Sequence, residues 1–183
     1  MTKIFRRLSF FILILVQFVF LFAIFFDKTN APLVLLFLGI ISVLISLAYF
    51  KSPRQEERYF INDLYLILFA VTGALSTFFI NIELKFGPVI AAGFIGTLAS
   101  FVPSINRKSK LLKEAPPAIY CGAFVGMTSA SVAPNLKFIL LAGIIAGSIL
   151  ILSKNIFNGF GGKLGTIAFG GVAITSAILY TLL

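Results

Sequence analysis

The sequence contains no histidine, no tryptophan, a single cysteine, and six acidic residues against fifteen basic ones. Without histidine it lacks the commonest general base and metal ligand, and Cys121 has no second cysteine with which to close a disulfide. None of Asp27, Glu56, Glu57, Asp63, Glu83 and Glu114 falls in the middle of an apolar run. The paired carboxylates of a hydrolase, a metal-ligating cluster and the membrane-buried acid of a proton-driven pump therefore cannot be assembled. Cys121 has no partner to activate it, so a buried small side chain is its expected role. Ser129 or Ser131 with Lys113 or Lys163 lacks the Gly-x-Ser-x-Gly turn or any defined dyad spacing. No catalytic residue, metal or cofactor is assigned, and an enzyme is not the expected reading.

Acidic charge is scarce, and the net charge is +9. The cations sit in short clusters between apolar runs rather than along one face or arm, which excludes a nucleic-acid partner. What the chain has in abundance is hydrocarbon: 60% of its residues are hydrophobic, 11% are charged, and the mean hydropathy is +1.08. That balance belongs to an all-α, polytopic integral membrane helical bundle. Seven apolar segments of membrane-crossing character run from Leu8 to Phe26, Ala31 to Phe50, Leu64 to Ile80, Phe86 to Pro103, Ala118 to Ala133, Leu136 to Ser153 and Leu164 to Leu183. At about 20 residues per span they leave no room for a separate soluble domain. Residues 1–183 are read as one membrane-embedded domain. The basic N-terminus resembles a signal peptide, but its apolar stretch is too long and has no small-x-small cleavage site, so a retained first span is expected.

With the N-terminus in the cytoplasm, twelve of the fifteen cations face inward and only Lys28, Lys85 and Lys137 face outward. This predicts a multi-pass protein of the plasma or inner membrane. The fifth segment is short, bounded by Pro116-Pro117 and Pro134, and rich in glycine and hydroxyls. If it re-enters without crossing, six spans remain and the charge bias is only slightly weaker, so both topologies stay open.

The two halves differ in composition. Fourteen of 22 phenylalanines precede residue 85, whereas ten of fifteen glycines fall between Gly122 and Gly171. A Phe-rich scaffold over 1–84 and a Gly-rich, closely packed core over 85–183 are expected. Gly122 to Gly126, Gly143 to Gly147 and Gly161 to Gly165 have the GxxxG spacing of close helix contacts. A faint echo links the Phe-x-Gly stretches near Gly96, Gly126 and Gly170, which composition alone accounts for.

Two stretches invite a solute path. The first carries Tyr120, Gly122, Gly126, Thr128, Ser129 and Ser131 on a proline-bounded helix of the kind that lines cavities. The second, with Asn155, Asn158, Gly161, Gly162 and Lys163, is a glycine turn leading into a helix N-terminus, where an anion can be held. It is not a Walker A loop, since Leu164 follows Lys163. The expectation is a channel, or a carrier not coupled to protons, for a small solute or ion, its path completed by parts of the fourth and seventh helices. The alternative is a non-transporting anchor or sensor subunit whose basic loops, Lys51 to Arg58 and Arg107 to Lys113, dock protein partners. Expected partners are the lipid bilayer, a small solute or anion, and a second copy or another membrane protein.

Overall fold

The computed structural model describes residues 2–27, 32–51, 61–154, 156 and 161–182, which form helices joined by turns, with no strand among them. Seven α-helices follow in order: α1 (Thr2–Asp27), α2 (Pro32–Lys51), α3 (Tyr65–Phe78), α4 (Pro88–Ile105), α5 (Lys110–Gly126), α6 (Leu136–Leu152) and α7 (Lys163–Leu182). A 3₁₀ turn, Ile61–Leu64, leads into α3, and a π-helical turn, Phe79–Glu83, continues it. Three of these helices are long and apolar enough to cross a bilayer: Tyr65–Glu83, Pro88–Ile105 and Lys163–Thr181. Phe10–Phe26, Pro32–Ile45 and Leu136–Leu152 are shorter apolar stretches.

Local chemistry sets the helix starts. Gly87, at φ +84°, turns the chain where a side chain would be strained, and Pro88 opens α4 with its φ already fixed. Ser109 caps α5 by accepting from Leu112 N–H at 3.3 Å, and Asn135 Oδ1 accepts from Phe138 N–H at 2.9 Å at the start of α6. Gly162, also at φ +84°, precedes α7, and its carbonyl accepts from Thr166 N–H at 2.9 Å.

The chain forms two compact units. One holds residues 1–57 with 153–160. Its helices α1 and α2 flank an apolar groove of about 700 Å³ lined by phenylalanine and leucine, and the Ser42 hydroxyl is turned onto the Leu38 carbonyl at 2.6 Å. The other holds residues 58–152 with 161–183 and contains α3 to α7.

In this second unit the glycines decide how the helices meet. A Cβ on Gly122 would strike the Ala70 carbonyl and lie 2.9 Å from Ala74 N; on Gly126 it would strike the Ala74 carbonyl and lie 2.7 Å from Thr77 Cβ; on Gly73 it would strike the Ile119 carbonyl. Thus α3 and α5 touch backbone to backbone. The partners of Gly122 and Gly126 advance together along both helices, which makes α3 and α5 parallel. The opposite progression holds for α6, where Gly143 meets Val71 and Gly147 meets Ile67, so α6 is antiparallel to α3. On the adjoining face of α6, Gly171 of α7 fits against the Ala142 carbonyl and Ala146. The third GxxxG spacing behaves differently: a Cβ on Gly161 or Gly165 meets nothing within 4 Å among the described residues, so this pair is no packing contact.

The fifth segment also departs from expectation. Instead of beginning after Pro116-Pro117 and running to Ala133, helix α5 begins at the Ser109 cap, carries both prolines inside, and stops at Gly126. Leu, Lys, Glu and Ala ahead of the prolines are strong helix formers, and the Thr128 hydroxyl bonds the Val125 carbonyl at 2.6 Å, drawing the backbone out of the helix.

Because backbone cannot move aside as a side chain can, Gly122→Ala lowers stability by about 2–3 kcal/mol, and Gly126→Ala does likewise. Gly161→Ala and Gly165→Ala stay within about 1 kcal/mol of the parent. Melting midpoints of the four purified variants in one detergent check the contrast.

Candidate functional site

Along α4, Gly93, Gly96, Thr97 and Ser100 recur at three- and four-residue spacing and so share one face. Opposite them on α5 stand Pro116, Pro117 and Tyr120, and together the seven residues line an open groove of about 580 Å³. Gly96 makes room for the aromatic wall, since a Cβ there would lie 2.8 Å from two Tyr120 ring carbons. The ring also leans on Phe124, with centroids 4.6 Å apart and planes inclined at 56°.

The groove is polar without being charged. The Thr97 hydroxyl donates to the Gly93 carbonyl at 2.8 Å and the Ser100 hydroxyl to the Thr97 carbonyl at 2.6 Å. Their protons are spent inside α4, which leaves the oxygens as acceptors. The two prolines act in the same direction. Having no N–H, they deny the Leu112 and Lys113 carbonyls their usual partners four residues on, and those carbonyls lie one turn below the groove-lining rings. The groove therefore offers the Thr97 and Ser100 oxygens as acceptors, with the Tyr120 hydroxyl as its side-chain donor.

Of the residues singled out in the sequence, Tyr120 lines this groove. Gly122 and Gly126 are buried in the α3 contact and are not part of its lining. Thr128, Ser129 and Ser131 lie in the turn after α5, not on a helix, where the Ser129 and Ser131 hydroxyls bond each other at 2.8 Å. Gly161 and Gly162 are exposed ahead of α7, and half-buried Lys163 is its first residue. Asn155 and Asn158 lie outside the described residues. Cys121 is fully buried, and its thiol approaches the Leu164 carbonyl at 3.6 Å. That contact lies about 17 Å along α5 from Lys110, so α7 begins beside the last third of α5 rather than beside its start. The fourth helix was expected to contribute, but its residues Gly93, Gly96, Thr97 and Ser100 were not singled out, although the Gly93-x-x-x-Thr97-x-x-Ser100 spacing of small and hydroxyl residues was readable as a face.

The chain matches no protein-family model, no characterised protein and no solved structure. No group of three or more His, Cys, Asp or Glu is placed to hold a metal among the described residues.

Accessibility separates groove from core. Native Cys121 should resist a maleimide in folded, detergent-solubilised protein. In a Cys121→Ala background, Thr97→Cys should label to near one equivalent while Ala74→Cys stays unlabelled until denaturant is added. Mass spectrometry of the labelled protein reads all three.

Proposed function

We propose that this chain is a multi-pass protein of the cell membrane, with a cytoplasmic N-terminus and seven spans, that passes a small, uncharged, hydrogen-bond-donating solute along the α4–α5 groove. The observation that carries the reading is the groove itself: about 580 Å³, lined by the acceptor oxygens of Thr97 and Ser100 and by Tyr120, with no charged side chain in the lining. Its volume suits a small molecule, and an anion would find too few donors there. Non-helical backbone and proline-freed carbonyls at such depth are tolerated where they face a cavity.

Three features support the topology. Large apolar side chains stand exposed along the helices, Phe11 at 67%, Val89 at 72% and Ile105 at 79%, as lipid-facing residues do. The inward excess of cations favours a cytoplasmic N-terminus. The antiparallel relation of α6 to α3 favours a fifth segment that crosses, because a re-entrant one would send α6 in the same direction as α3.

A second reading, assembly with another membrane helix, draws on the exposed small face of α4, where a Cβ on Gly93 meets nothing within 4 Å. One variant tests both. Gly93→Leu fills the groove without touching the fold. Liposomes carrying the parent protein should swell in uncharged polyols, glycerol first, faster than protein-free liposomes. The variant should lose that excess rate about tenfold, corresponding to about 1.4 kcal/mol, at an unchanged melting midpoint. Polyol-tight liposomes together with a partner released by Gly93→Leu establish assembly instead.

A further inference from the structure

We infer that the junction between α3 and the end of α5 is a binding site for an alkali-metal cation, built from neutral oxygens. Thr77 is completely buried, and its hydroxyl has no hydrogen-bond partner among the described residues. Threonines within helices ordinarily return the hydroxyl to the carbonyl one turn back. Thr97 and Thr175 do so here, onto Gly93 and Gly171, both at 2.8 Å. Thr77 does not, and a buried hydroxyl left without a partner is costly enough to be rare.

Thr77 and Asn81 both adjoin Gly126 at the end of α5. Four residues after Thr77, in the π turn that continues α3, buried Asn81 donates its Nδ2 to the Gly126 carbonyl at 3.4 Å, a bond that does not use its Oδ1. Gly126 is the last residue of α5, so its carbonyl belongs to the end of the helix that carries partial negative charge. Thr77 meets Gly126 directly, its Cβ lying 2.7 Å from the position a Gly126 Cβ would take. Just beyond Thr77 the ladder of α3 changes from α to π over Phe79–Glu83, a local break of the kind found at functional sites. A threonine hydroxyl, an asparagine oxygen and the carbonyl end of a helix that stops part-way along its neighbour form the donor set with which membrane proteins hold Na⁺ or K⁺ without a carboxylate. Occupancy would tie the tip of α5 to α3.

The inference stands apart from solute passage, because it is read from stability and not from flux. The full chain in detergent is melted in NaCl, in KCl and in N-methyl-D-glucamine chloride at equal ionic strength. With Na⁺ or K⁺ the midpoint should rise with the logarithm of cation concentration, by about 5 °C at a hundred times half-saturation, and should not rise with the organic cation. Thr77→Val should lose this increment and Thr77→Ser keep it. Should Thr77→Val not fold, Asn81→Asp serves instead: an added anionic oxygen should lower the half-saturating concentration about tenfold. In the parent protein, ²³Na relaxation should show broadening relieved by the competing cation. Equal midpoints in all three salts mean a bound water only and overturn the site, as does a folded Thr77→Val that retains the full increment.

Discussion

The larger unit depends on the direct contact of two helix backbones. Gly73 of α3 and Gly122 and Gly126 of α5 each remove the one atom that would hold the chains apart, and Ala70 and Ala74 complete the seam. In hydrocarbon, apolar side chains gain nothing by leaving lipid for one another, so helices associate through close van der Waals contact, which small residues alone permit. A second consequence is positional. With α5 parallel to and against α3, α6 packs beside it through Gly143 and Gly147, which meet Val71 and Ile67 and reach the same Ala74 and Ala70 that form the seam.

That seam leaves α5 with two unusual stretches at different heights. Just before its midpoint, Pro116 and Pro117 interrupt the hydrogen-bond ladder without ending the helix, and they line the groove with the hydroxyl-bearing side of α4. At its end, α5 stops at Gly126 while the α3 segment continues to Glu83, with the Asn81 amide on the terminal carbonyl. Through this one helix the α4–α5 groove is tied to the junction of Gly126 with Thr77 and Asn81, with the glycine seam between them. This is the arrangement on which the proposed function and the cation site both draw.

Much of this was legible in the residues, and the rest was hidden for definite reasons. The helical, membrane-like character follows from composition, and Gly122–Gly126 announces close contact because the absence of a Cβ is written in the sequence. Its partner was obscure: alanine at 70 and 74 suits any helix, and α3 lies in the phenylalanine-rich half. Gly161–Gly165 has the same spacing and meets nothing, since spacing records an opportunity for contact and not the presence of a neighbour. The proline pair suggested a boundary, yet Ser109 had already started the helix, and a cap with good helix formers behind it outweighs two interior prolines. The hydroxyls Thr128, Ser129 and Ser131 looked like a lined path because they cluster in sequence. They bond to the Val125 carbonyl and to one another in a turn, whereas the groove takes its hydroxyls from α4.

The most direct test of the α3–α5 seam is a cross-link. With Cys121 replaced by alanine, cysteines at Thr77 and Gly126 should close an intramolecular disulfide with iodine, an oxidant that enters apolar interiors, because the two positions are near enough to bond after a small shift. Near-complete loss of free thiol in a monomeric product is the result expected. Two thiols that survive iodine yet both react with maleimide after denaturation would contradict the seam, and with it the placement of the groove and of the α5 end.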